Sequence, residues 1–146
     1  MKKANIFLDS SALIAGIISE TGAAHVLLQL GETEDITLTI SELVFNETIR
    51  SIARKSPANL EDAQKGIQKS RIKILPDPSH EDIQKNLYLM DDPYDVPVLL
   101  TAMKAEVDYV ATHDHKHFLD DPKVAERSGI RIGTPGDVLA WLRETL

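Results

Sequence analysis

The chain has 146 residues, 42% of them hydrophobic and 27% charged, which suits one domain built around one core. It contains no cysteine, so disulfides and thiolate metal sites are excluded. A net charge of −7 and a pI near 5.1 argue against a simple basic surface for nucleic acid. Two readings of that charge stay open: an acidic surface that keeps the protein soluble, or clustered carboxylates that hold divalent cations and acquire positive charge through them.

The elements follow in chain order. Lys2 and Lys3 precede an apolar run in which Ala4 to Leu8 reads as a buried strand. This start imitates a secretory leader, but Asp9, Ser10 and Ser11 interrupt the run at its centre. No segment approaches the ~20 apolar residues of a membrane span, so a soluble, cytoplasmic protein is expected. Ser10 to Ile18 has helical spacing, and Gly22 separates a second helix from Ala23 to Leu30. Ile36 to Ile40 alternates as a strand, and Ser41 is the N-cap of a helix running to Lys55. Ser56 and Pro57 precede a polar helix from Leu60 to Ser70, followed by a short strand from Ile72 to Leu75. Helices at His80 to Leu89 and Asp95 to Ala105 lead to strands at Val107 to Thr112 and Ile130 to Ile132, and Pro135 opens the last helix. Alternation of this kind predicts a parallel sheet covered on both faces, with residues 1–146 forming a single domain.

Four acids stand out by position. Asp9 follows the first strand and Asp114 lies just beyond the fourth, at the carboxyl edge where open α/β sheets bind ligands. Glu47 sits four residues after Leu43 and three after Val44, on the apolar stripe of its helix. Asp95 is followed by Val98, Leu99 and Ala102 at the same helical offsets, and it opens its helix, where the dipole favours an anion. Inward carboxylates repel one another unless a cation joins them, and all-oxygen ligation suits Mg²⁺ or Mn²⁺. Two such ions ~4 Å apart activate a water and stabilise the leaving oxygen of a phosphodiester. Each acid also has an ordinary reading: Asp9 and Asp95 as helix caps, Asp114 as a turn residue, Glu47 as the partner of an arginine.

These residues resemble the PIN-domain family, and in particular its small VapC-like ribonuclease toxins. The likeness lies in four blocks: Ile6-Phe7-Leu8-Asp9-Ser10-Ser11, Ser41 to Glu47, Asp95 to Ala102, and Ala111-Thr112-His113-Asp114. It implies a three-layer α/β/α sandwich with a five-stranded parallel sheet. It also implies that Asp9, Glu47, Asp95 and Asp114 hold Mg²⁺ or Mn²⁺ for RNA hydrolysis, with Ser10 and Thr112 in support. Homodimers and inhibition by a small antitoxin protein are frequent in the toxin branch, whereas other members process RNA without an antitoxin. Pro97 departs from the family's usual helix start, which makes Asp95 the expected cap, and Asp92 stands near enough to replace or assist it.

Other features are weaker. His113, His115 and His117 surround Asp114; solvated groups or a phosphate-contacting rim are expected in preference to a zinc site. Arg50, Arg54, Lys55, Lys65, Lys69, Arg71 and Lys73 either form a basic rim for RNA or are solvated helix faces. No stacking platform for bases is visible among the few aromatics. Trp141 is expected in the core or at a dimer contact. Aspartate-nucleophile phosphatases want an acid where Ser11 stands, and receiver proteins want a lysine where Gly133-Thr134-Pro135 stands. A non-catalytic binding module with the same fold is the remaining rival.

Overall fold

The structure, a computed structural model, describes residues 2–145. Five strands form one parallel sheet: β1 (Asn5–Leu8), β2 (Thr37–Ser41), β3 (Lys73–Leu75), β4 (Tyr109–Ala111) and β5 (Arg131–Gly133). The order across the sheet is β3-β2-β1-β4-β5. The chain therefore builds outward from β1 in one direction and then returns to add β4 on its other side. The point of reversal lies between β1 and β4, where the loops leaving the two strands diverge and open a crevice.

Eight α-helices accompany the strands among the described residues: α1 (Ser10–Ile18), α2 (Ala23–Glu32), α3 (Glu42–Lys55), α4 (Leu60–Lys69), α5 (His80–Lys85), α6 (Val96–Lys104), α7 (Pro122–Ser128) and α8 (Pro135–Thr145). They cover both faces of the sheet in a three-layer α/β/α sandwich, with α1 packed on α2 and α3, α2 on α8, and α6 against β2. Both faces being covered explains the strand composition. Ile6, Phe7 and Leu8 are all fully buried, with no polar alternate positions. Each such side chain contributes roughly 1.5–3 kcal/mol of burial, which anchors β1 at the centre of the sheet. No single helix among the described residues is long and apolar enough to cross a membrane.

Most expected elements are present, with three differences. The helix expected over His80 to Leu89 stops at Lys85, because Asn86 leaves helical dihedrals, and a 3₁₀ turn follows at Leu87–Leu89. A helix not expected from the sequence, α7, is framed by Asp121, whose side chain accepts from the Lys123 amide, by Pro122 in its first turn, and by Gly129 at φ 72° beyond its end. That arrangement of cap, proline and left-handed glycine is a sequence signal of both helix ends. Finally, His115–Leu119, between two expected strands and assigned no element from the sequence, winds as a single π-type turn.

Trp141 is half-buried against the core, tilted on Tyr109 with ring centroids 5.6 Å apart and covered by the Arg131 guanidinium at 5.3 Å.

Candidate active site

The register of β1 on β4 sets Leu8 beside Ala111, so the next residue along each strand, Asp9 and Thr112, emerges side by side at the reversal crevice. The Asp9 amide donates to the Ala111 carbonyl at 3.0 Å and extends the pairing by one step. Asp9 is only 7% exposed. It stands at the N-cap of α1, and its backbone carbonyl accepts from Ala12 and Leu13, yet its carboxylate caps nothing. Instead Oδ2 accepts from Thr112 Oγ1 at 2.9 Å and from Ser11 Oγ at 3.2 Å. The cap expected of Asp9 is therefore made by its backbone alone, and the side chain is turned into the crevice.

Burial pushes the Asp9 carboxyl above its ordinary range, while the hydroxyls of Thr112 and Ser11 and the Ser10 amide draw it back and Asp114 adds repulsion. Ser11 was not among the residues singled out from the sequence. It also donates from or accepts at Thr112 across 3.3 Å and accepts the His113 amide at 2.9 Å, so one hydroxyl ties α1 to the loop after β4. Thr112 Oγ1 in turn accepts the Asp114 amide at 3.0 Å, which fixes the second acid relative to the first.

Asp95 shows a similar withdrawal from a cap. It occupies the N-cap of α6, and its carbonyl accepts from the Leu99 amide, but its dihedrals are helical and its side chain makes no cap bond. Pro97 occupies the position that offers one of the two usual amide donors to a cap, and proline has no N–H. The departure at Pro97 thus frees this carboxylate, the reverse of the cap expected of it. Asp95 Oδ2 is shielded from solvent and accepts no hydrogen bond. His117 Nδ1 lies 3.2 Å away, but the imidazole bonds Asp114 instead. Burial raises the Asp95 carboxyl to about 6; His117 lowers it, and Asp92, Asp114 and Asp9 raise it further.

Asp114 combines two roles. One oxygen, Oδ1, caps the π turn by accepting the His117 amide at 3.1 Å, as a turn residue does, and the other meets His117 Nδ1 at 3.1 Å. Asp92 lies on the outer side of the same ring, with Oδ2 3.5 Å from His117 Nε2 and Oδ1 accepting the Tyr94 amide. Of the three histidines only His117 turns inward; among the described residues His113 and His115 join no group of candidate metal ligands. The i,i+3 relation of His117 to its capping Asp114, followed by the buried Phe118, was the available signal.

Glu47 approaches from α3. The buried stripe of that helix is Val44, Thr48 and Ile52, and Glu47 lies half-buried at its margin, not at its centre. Burial raises its carboxyl, Ser10 draws it back by a hydrogen bond, and the charge of Asp9 is felt there. Arg50 also draws it down, but no ion pair joins the two among the described residues. Among those residues no lysine or arginine pairs with Asp9, Glu47, Asp95 or Asp114. Beside Ser10 and Ser11 a groove of about 330 Å³ runs between α1 and α3, lined also by Ile14, Ile18, Ser51, Ile52 and Lys55. Of the other candidate cations, Lys65, Lys69 and Arg71 pair with Glu61, Glu32 and Glu34.

The donor set fits a divalent cation. Burial raises the carboxyls of Asp9, Glu47 and Asp95, no lysine or arginine pairs with them among the described residues, and one buried Asp95 oxygen has no partner. Buried anions left in that state are costly unless a charge joins them.

A family profile described as PIN domain matches residues 5–116. No curated protein sequence matches the chain. Among solved structures, PAE2754 from Pyrobaculum aerophilum is similar at a TM-score of 0.62 and 17% identity, covering 97% of this chain and 96% of its own. VapBC2 from Rickettsia felis, crystallised with a DNA fragment from its promoter, gives 0.60 and 16%, covering 89% and 98%. VapC20 of Mycobacterium tuberculosis, described as a toxin that cleaves the sarcin–ricin loop, gives 0.53 and 16%, covering 76% and 91%. At these identities the likeness is one of fold.

Proposed function

The chain belongs to the PIN-domain family, and from that premise we propose that it is a divalent-metal-dependent endoribonuclease and the toxin of a type II toxin–antitoxin pair. The observation that carries the reading is that Asp9, Asp95 and Asp114 lie near enough at the β1/β4 crevice to feel one another's charge, with Glu47 beside Asp9 and no lysine or arginine paired with any of them among the described residues. Residues 1–146 act as one nuclease domain, with Asp9, Glu47, Asp95 and Asp114 as the residues that hold Mg²⁺ or Mn²⁺. Such ions, when bound, supply positive charge to the scissile phosphate and acidify a water for attack.

The chain's own contribution is positional. Thr112 and Ser11 hold the Asp9 carboxylate in one orientation with neutral donors, leaving its charge intact. Ser10 lies against Glu47 and draws its carboxyl back. Lys55, on the groove beside the notch, and Arg50, one turn beyond Glu47, offer cations to flanking phosphates of a strand lying between α1 and α3. On a protein of net charge −7, these few cations and the bound ions carry the attraction for RNA.

The likeness of fold to VapBC2 and VapC20 supports the toxin role with a small antitoxin protein as partner; a homodimer as the working form is part of the same proposal. The test is cleavage of structured and single-stranded RNA by the purified protein with Mn²⁺ or Mg²⁺. Cleavage is expected to vanish with EDTA and to fall at least about 100-fold in Asp9→Asn. Activity that survived both, or none on any RNA with either ion, would overturn the nuclease reading. Growth arrest on expression, relieved by a small neighbouring gene, tests the toxin role separately.

A further inference from the structure

We propose that His117 is itself a ligand of the metal centre, through Nδ1 alongside Asp95, and that this nitrogen donor favours Mn²⁺ and similar first-row ions over Mg²⁺. The inference rests on the reading that the notch binds a divalent ion, and not on what the ion is used to cut.

The unpartnered Asp95 oxygen is what points to a ligand and not to a plain counter-charge. Nδ1 stands 3.1 Å from Asp114 Oδ2 and 3.2 Å from Asp95 Oδ2. Adjacent ligands of an octahedral ion with bonds of about 2.1 Å stand about 3.0 Å apart, a spacing that the Nδ1 to Asp95 Oδ2 separation matches. Toward Asp95 the distance is that of a hydrogen bond but the alignment is not, and Oδ2 is left without a donor. Asp92, Asp95 and His117 each offer a ligand atom, all within 4.8 Å of one another.

The second ring nitrogen completes the pattern. Nε2 faces Asp92 Oδ2 at 3.5 Å, so a carboxylate stands behind the ring while Nδ1 points at the acids. A histidine ligand ordinarily directs its other N–H at such a carboxylate, which fixes its tautomer and orientation. Asp92 is then the residue that orients the ligand, and Asp95 the residue that binds. The ring is also held from its own backbone, since its amide donates to Asp114 Oδ1 and the next side chain, Phe118, is buried. An imidazole among carboxylates moves a site's preference from hard Mg²⁺ toward borderline first-row ions.

Pulsed electron paramagnetic resonance of the Mn²⁺-loaded protein should show ¹⁴N coupling that disappears in His117→Ala. By calorimetry that variant should bind Mn²⁺ at least about tenfold more weakly, with Mg²⁺ changed less than about threefold. His117→Asp, which restores a donor as oxygen, should keep Mg²⁺ binding and lose the Mn²⁺ preference; circular dichroism of the metal-free variants checks folding. Absence of nitrogen coupling in the wild type would overturn the proposal. So would tighter binding of both ions by His117→Ala, which would make His117 an occupant of the ion's place. RNA cleavage that persists in either case would leave the nuclease reading standing.

Discussion

Asp9 and Asp95 occupy equivalent backbone positions and are treated in opposite ways. Each sits at a helix N-cap, each makes the cap with its carbonyl only, and in each burial raises the carboxyl. Around Asp9, three neutral donors from Thr112, Ser11 and the Ser10 amide pull the charge state back. Around Asp95 no hydrogen bond reaches the buried oxygen, and among the described residues the compensating group is His117. Neutral donors orient a carboxylate without neutralising it, whereas an unpartnered one stores a demand for a cation. One half of the notch is thus held in shape, and the other is left without a hydrogen-bond partner.

The largest test of that contrast is Asp95→Asn. Metal affinity and cleavage should fall at least about 100-fold, yet the metal-free protein should become more stable at neutral pH. The sign follows from the raised carboxyl. A group whose pKa is higher folded than unfolded contributes stability that is complete below its ordinary value, 3.8, and is lost as pH rises through about 6. Metal-free wild type should therefore match Asp95→Asn near pH 4 and fall behind it by roughly 2 kcal/mol at pH 7.5. In thermal melts of a chain this size the gap is about 5 °C. A wild type as stable as the variant at pH 7.5 without metal would mean that Asp95 already has a partner.

Thr112→Val probes the other half. It removes the donor to Asp9 and the acceptor for the Asp114 amide together, at a stability cost of about 1–3 kcal/mol. Cleavage should fall about 10- to 100-fold, with Thr112→Ser restoring most of it. If valine left cleavage unchanged, orientation of Asp9 would not depend on this hydroxyl. The smallest effect is expected of Ser10→Ala, since the Ser10 side chain bears only on the half-buried Glu47. A loss of about tenfold in cleavage, with stability within roughly 0.5 kcal/mol of wild type, would place Glu47 below Asp9 and Asp95 in importance.

Position along the chain made several of these features legible. The apolar run ending at Asp9 and the strand ending before Thr112 marked the carboxyl edge of a parallel sheet, because burial on both faces leaves strands without polar alternation. Ser41 as a cap was equally readable, and its hydroxyl accepts the Val44 amide at 3.1 Å. Helix α7 was readable too, from Asp121-Pro122 and Gly129, although the sequence reading passed over it. What local pattern misjudged was the use of each side chain. Asp9 and Asp95 look like caps in sequence, and only the packing of β4 and the loss of an amide at Pro97 turn their carboxylates inward.

By itself, then, the sequence determined the order of strands and helices and which acids reach the sheet's edge, since period and punctuation are local properties. Tertiary structure alone decided that β4 returns beside β1, that Ser11 bridges α1 to the loop after β4, and that His117, not His113 or His115, faces Asp92, Asp95 and Asp114. Those contacts join residues up to 103 positions apart, and their geometry depends on angles between elements that no window of sequence contains.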